Sequence, residues 1–299
     1  MNNSVFQCGF VAIIGRPNVG KSTLLNHILG QKISITSRKP QTTRHQILGV
    51  KTSTNAQVIY VDTPGMHNRR STAINRYMNR AANSVLNDVD LILFVVQALQ
   101  WTGEDEAVLE RLQEIRTPVL LVVNKIDKLA DKNELLPFIE KLTAKHEFDA
   151  VIPVSALHAE NIGQLEADVS ERMPENEAFF PADQITDRTV RFLAAEIIRE
   201  KLVRELGQEL PYTTAVEIER FEEGESINRI FATIYVETKG QKAIIIGRKG
   251  ARLKSIGTKA RVDIEKMLDS KVYLELWVKV REGWSNDERA LASLGYTNE

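Results

Sequence analysis

The stretch Gly15-Arg16-Pro17-Asn18-Val19-Gly20-Lys21-Ser22-Thr23 decides the fold. It matches G-x4-G-K-[ST]. It stands between an apolar run, Phe10-Val11-Ala12-Ile13-Ile14, and a helical pattern over residues 22–29. A strand before and a helix after are the setting in which this motif wraps a phosphate chain. The glycines let the backbone close around phosphate with its amides inward, and the helix N-terminus adds a favourable dipole. In that geometry Lys21 reaches the β- and γ-phosphates, and the Ser22 hydroxyl takes Mg²⁺. The motif implies a nucleoside triphosphate without naming its base.

Outward from the motif, short apolar runs alternate with helical patterns. The runs at residues 58–61, 91–96, 119–123 and 151–154 read as strands covered on both faces. Helical patterns lie at 22–29, 74–86, 104–115, 134–145 and 162–172. The alternation predicts an α/β domain with a mostly parallel sheet, spanning residues 1–175. Residues 47–52 precede the run at 58 by a short loop, which predicts a hairpin and one antiparallel edge strand. Pro174 to Asp187 breaks the pattern, so residues 176–187 read as a linker, with Phe179 and Phe180 packed on one domain.

The base is named by Asn124-Lys125-Ile126-Asp127, placed after a strand. A carboxylate at Asp127 accepts two hydrogen bonds from guanine N1–H and its exocyclic amine. Adenine lacks that donor pair, so the carboxylate would be left unpaired against it. Ser155-Ala156 follows the next strand and offers a backbone N–H to guanine O6. Asp62-Thr63-Pro64-Gly65 ends another strand, where Asp62 can hold Mg²⁺ through water and the Gly65 amide can contact the γ-phosphate.

Beyond the linker, residues 188–299 read in the order α-β-β-α-α-β. Asp187 is positioned to cap a helix whose apolar residues Val190, Leu193, Ile197, Ile198 and Leu202 share one face. Two strands follow, at 213–221 and 228–237, and the last at 271–281. Between them lies Ala243-Ile244-Ile245-Ile246-Gly247-Arg248-Lys249-Gly250-Ala251-Arg252-Leu253, with Gly-x-x-Gly set between two short helices. Lys242, Arg248, Lys249, Arg252, Lys254, Lys259 and Arg261 fall between residues 240 and 262 with no acidic residue among them. Glycines that allow close approach, beside this charge, suit a nucleic-acid backbone. Ile244 and Ile246 would line a groove for bases; Trp277 and Trp284 are either further contacts or, as tryptophan more often is, core.

Composition closes off other classes. Net charge is −1, so a nucleic-acid site must be a local patch and not a whole-domain field. The longest apolar runs are too short to span a bilayer, and the N-terminus has no secretory pattern. The single cysteine, Cys8, forms no intrachain disulfide and fits a reducing cytoplasm. The five histidines lack partners at metal-binding spacing.

The chain resembles the translation-factor-type GTPases, and among them the Era-like branch. The resemblance rests on residues 15–22, Thr42-Thr43, residues 62–65, 124–127 and Ser155-Ala156 in that order, and on Pro40-Gln41-Thr42-Thr43-Arg44. The α-β-β-α-α-β order with Gly-x-x-Gly looks like a type II KH domain. The resemblance implies GTP and GDP as ligands. It also implies that the threonine pair binds Mg²⁺ with Ser22 and Asp62; Thr43 is the choice, open by one position to Thr42. Lys21, Thr43 and Gly65 then act at the γ-phosphate. Many signalling GTPases place a glutamine after Asp-x-x-Gly; here it is Met66, as in Era-like members. Asn18 either holds a K⁺ ion, as its equivalent does in some relatives, or only shapes the loop. The resemblance further implies a monomer that binds 16S ribosomal RNA, serves small-subunit assembly, and associates peripherally with the cytoplasmic membrane. The rival reading is a GTPase whose C-terminal domain binds a protein.

Overall fold

The computed structural model describes residues 6–37, 43–64, 78, 86, 88–206 and 214–293. The helical pattern at 74–86 falls almost wholly outside these residues. Two compact units emerge: one takes in most of the chain up to Asp187, the other Arg188 onward with a short stretch beginning at Ile35.

In the first unit six strands form one sheet in the order β2-β3-β1-β4-β5-β6. They are β1 (Gln7–Ile14), β2 (Ile47–Thr52), β3 (Ala56–Asp62), β4 (Leu91–Gln97), β5 (Val119–Asn124) and β6 (Ala150–Val154). All neighbours pair parallel except β2, which pairs antiparallel with β3 and forms the edge, as the hairpin reading expects. Helices α1 (Lys21–Leu29), α2 (Gly103–Leu112), α3 (Leu135–Thr143) and α4 (Ile162–Ser170) accompany the sheet. The continuous apolar runs are strands with both faces covered: residues 91–96 of β4 are all fully buried. The parallel arrangement sets the C-terminal ends of β1, β3, β5 and β6 along one sheet edge, where open α/β sheets bind ligands.

The segment from Pro174 to Asp187 lies on this same unit. The Gln57 carboxamide meets the Phe180 backbone on both sides, donating to its carbonyl at 2.8 Å and accepting its N–H at 2.9 Å. Val50 N–H donates to Ile185 O at 2.8 Å, and the Phe179 ring sits 5.4 Å from Phe10. Asp187 does not cap the following helix. Its Oδ1 accepts from Leu48 N–H at 3.1 Å, while Thr189 caps the helix through Phe192 N–H. Cys8 is fully buried beside Gln57, and burial pushes its thiol pKa up.

The second unit contains α5 (Val190–Glu205), β7 (Thr214–Glu222), β8 (Asn228–Val236), α6 (Lys239–Ile246), α7 (Ala251–Leu268), β9 (Val272–Val280) and α8 (Glu288–Ser293). Its sheet runs β7-β8-β9, with β7 antiparallel and β9 parallel to β8. Alternating Ile230, Ala232, Ile234 and Val236 face a core completed by Ile198 and Leu202 of α5 and by Ile256, Ala260 and Ile264 of α7. Two expectations change. The second of the two short helices, α7, has 18 residues, because Ile256, Ala260 and Ile264 keep one buried stripe along it. α5 buries charge as well as its apolar face: Glu196, Arg199, Glu200 and Lys201 are all inside. Pairing makes that tolerable. Arg199 donates to Glu196 at 2.7 Å, and Lys201 bonds Glu200 at 3.1 Å and also Asp263.

Candidate functional site

Gly15 follows the end of β1 and Gly20 caps the start of α1, with φ +144° and +110°. Side chains are excluded from both. A Cβ on Gly15 would lie 2.3 Å from Val95 O, and one on Gly20 would lie 2.2 Å from Asn124 Nδ2. The loop therefore closes tightly against β4 and β5. Lys21 Nζ rests inside it, donating to Gly15 O at 2.9 Å and Arg16 O at 3.1 Å. Burial lowers the Lys21 pKa to about 8, partly opposed by Asp62. Thr23 lies in the first turn of α1, and Pro17 and Asn18 form the outer rim of the loop.

Asn124, at the end of β5, ties three motifs together. Its Nδ2 donates to Val19 O at 2.7 Å, and its Oδ1 accepts from Ala156 N–H at 2.9 Å and from Lys125 N–H at 2.7 Å. The Ala156 amide, expected to face guanine O6, is engaged by Asn124 here. Lys125 Nζ bonds Asn18 O and, at 2.7 Å, Gln97 Oε1. Burial lowers its pKa to about 8. Asp127 is exposed, and its Oδ1 accepts from Ser155 Oγ at 2.6 Å. It is positioned by that hydroxyl and open to a donor pair from solvent.

A second cluster gathers Ser22, Thr43 and Asp62. Ser22 Oγ lies 2.8 Å from Thr43 Oγ1 and donates to Asp62 Oδ2 at 3.0 Å. Ser34 Oγ donates to the same Oδ2 at 2.8 Å. Asp62 is fully buried, and its Oδ1 has no hydrogen-bond partner among the described residues. A buried carboxylate with one unpartnered oxygen, beside the paired hydroxyls of Ser22 and Thr43, fits Mg²⁺, which takes few protein ligands and completes its shell with water and phosphate. Thr43 thus stands beside Ser22; Thr42, Gly65 and Met66 lie outside the described residues. Thr63 is fastened inward, its hydroxyl donating to Ile13 O at 3.0 Å, and Pro64 is buried beside it. Arg16 turns away from the loop interior toward Asp105, with Nε to Oδ2 at 2.9 Å. Neither Ser34 nor Asp105 is apparent from sequence, since no motif contains them.

In the second unit, Arg248–Gly250 makes a tight turn between α6 and α7. Gly247, Lys249 and Gly250 all have positive φ: 70°, 51° and 78°. The two glycines serve differently. A Cβ on Gly247 would sit 2.8 Å from Arg252 Cβ, so Gly247 lets the loop close on α7. A Cβ on Gly250 would meet nothing within 4 Å, so that side is open to an incoming chain. Arg248, Lys249 and Lys254 are exposed. The rest of the basic run is partly committed: Arg252 donates to Ile244 O at 2.6 Å, Lys259 pairs with Glu205, and Arg261 with Glu265. Ile244 is exposed and Ile246 half-buried, but Ile245 is core. Trp284 is fully buried, which removes it as a nucleic-acid contact; Trp277 is exposed on β9. Among the described residues no helix is long and apolar enough to cross a membrane.

The chain matches the family of 50S ribosome-binding GTPases over residues 10–125 and the KH domain over residues 209–285. It is 60% identical to the GTPase Era of Ectopseudomonas mendocina over 292 residues, covering 98% of both chains. It is 59% identical to the GTPase Era of Marinobacter nauticus over 296 residues, covering 99% of this chain and 97% of that one. Among solved structures it is similar to a variant of Aquifex aeolicus Era bound to GDP and aluminium fluoride, at TM-score 0.94 and 41% identity over 98% of this chain and all of that one. The same values hold for Era in complex with MgGDPNP and nucleotides 1506–1542 of 16S ribosomal RNA. A phosphate loop, a guanine-reading edge and a KH unit in one chain, at this identity over this length, make it a member of the Era family of GTPases.

Proposed function

We propose that this GTPase is a nucleotide-controlled binder of small-subunit (16S) ribosomal RNA that assists assembly of that subunit. The open, basic side of the loop at Gly250 carries the RNA reading, supported by the RNA-bound relative. In this reading residues 15–23 wrap the phosphates, Lys21 leaves the carbonyls of Gly15 and Arg16 for the β- and γ-oxygens, and Asn124, Asp127 and residues 155–156 hold guanine. Bound Mg²⁺, held by Ser22, Thr43 and Asp62, supplies positive charge to the β- and γ-phosphates. Thr43, beside Ser22, and Gly65, by its place in the motif, would act at the γ-phosphate. With Met66 in place of a water-orienting glutamine, intrinsic turnover is slow, below about 0.1 s⁻¹. Asn18, on the exposed rim, would hold K⁺, which would supply further positive charge at the transferring phosphate, unless it only shapes the loop. The protein works in the cytoplasm as a monomer and meets the membrane only peripherally.

One titration series tests the function. The purified protein should hydrolyse GTP and not ATP, more slowly when Na⁺ replaces K⁺. It should retain an oligonucleotide from the 3′ end of the small-subunit RNA on filters, with affinity falling as salt rises. No retention even at low salt would favour a protein partner for the second unit. Equal rates in the two salts would remove K⁺.

A further inference from the structure

The loop residue Arg16 is fixed from outside the known motifs. Its guanidinium is nearly buried and reaches Asp105, at the first turn of α2, with Nε 2.9 Å from Oδ2. Its Nη2 donates to Gln100 Oε1 at 3.2 Å. Asp105 is completely buried. Its Oδ2 also accepts from Thr102 N–H at 2.9 Å and Thr102 Oγ1 at 2.8 Å, closing the capping box of α2. Its Oδ1 has no partner among the described residues, so the charge on this carboxylate is answered chiefly by Arg16.

Arg16 is also one of the two residues whose carbonyls receive Lys21 Nζ. Its main chain thus faces the phosphate-binding lysine while its side chain is anchored to α2. A rotation of that peptide would move the carbonyl and the amides after it together. We propose that Asp105 is a positioning residue for GTP turnover: acting through Arg16, it holds the phosphate loop in the orientation that binds and transfers the γ-phosphate. The proposal rests on the reading of residues 15–22 as the phosphate cradle. Asp105 touches no substrate. Misplacement of a reacting group by about 1 Å can cost roughly a hundredfold in rate, so a clamp of this kind is visible in kinetics.

Three variants separate clamp from cap. Asp105→Asn keeps a carbonyl oxygen for the helix cap and removes the charge. The double variant Arg16→Met/Asp105→Asn removes both charges, leaves neither buried alone and keeps a carbonyl oxygen for the helix cap, a change that should largely preserve stability. Thr102→Ala loosens the cap and leaves the ion pair. Active sites are counted by titration with a fluorescent GDP analogue, folding is followed by thermal melting, and kcat and KM for GTP are measured per active site. Asp105→Asn and the double variant should each lose about tenfold or more in kcat/KM, chiefly in kcat. The double variant should melt near the parent. Thr102→Ala should melt lower and turn over like the parent. A stable double variant with parental kcat/KM would overturn the proposal, as would a Thr102→Ala protein that loses as much turnover as Asp105→Asn. A parent that fails to bind the GDP analogue would instead overturn the reading of the cradle.

Discussion

At the scale of single residues, Asp127 presents an exposed carboxylate set by one hydroxyl, that of Ser155, and guanine selectivity is proposed to rest on it. Asp127→Asn exchanges an acceptor for an amide and should favour xanthine, which carries a carbonyl where guanine carries its amine. Competition between GDP and XDP measures this; a variant that still strongly prefers GDP removes Asp127 from base recognition. Asp127 was legible in the sequence because a ligand of fixed shape dictates motif spacing. The same holds for Lys21, Ser22 and Asp62. Ser34 and Asp105 were not legible. Each acts through a contact across a long stretch of chain, 28 residues from Ser34 to Asp62 and 89 from Arg16 to Asp105, and such partners leave no local spacing. The Ala156 amide shows what spacing leaves out: in the fold it donates to Asn124 Oδ1, a contact across 32 residues that no motif spells.

At the scale of elements, the strands were legible because burial on both faces demands unbroken apolar runs, as in β4 and β5. The length of α7 was obscured by its many charges and by Gly257, which costs a helix interior about 1 kcal/mol relative to alanine. A Cβ there would make only an ordinary contact, 3.4 Å from Leu276 Cδ1 of β9, so packing does not demand the glycine. The full charge burial of α5 was hidden because ion pairing inside a fold has no periodic signature. The turn joining α6 to α7 carries its own prediction. Gly250 has φ +78° and faces open space. Gly250→Asp therefore adds backbone strain, bulk and a negative charge where phosphate should approach. RNA affinity should fall by at least about 2 kcal/mol while GDP binding persists. Filter binding at two salt concentrations, with circular dichroism to confirm folding, measures it. A folded variant that binds RNA as tightly as the parent would end this reading of the loop.

At the scale of the whole molecule, the two units bury separate apolar clusters. One cluster of the first unit draws on residues between Ala12 and Leu142, one of the second on residues between Ala194 and Val278, and these two share no side chain. The change of pattern after Pro174 made that division legible in outline. It did not foretell that the joining segment would lie along β2 and β3, because backbone bonds such as Val50 N–H to Ile185 O depend on an edge strand and not on side-chain type. The lone thiol of Cys8 is fully buried in the first unit, and burial favours its neutral form. The native protein should therefore stay unmodified by maleimide dyes until it is denatured, which mass spectrometry can verify. Rapid labelling under native conditions would contradict the burial. A cysteine introduced on each unit would then carry a donor and an acceptor fluorophore with no background from the native residue. A single added cysteine on either unit would thus report on GDP and GTP exchange without any prior mutation of the protein's own thiol.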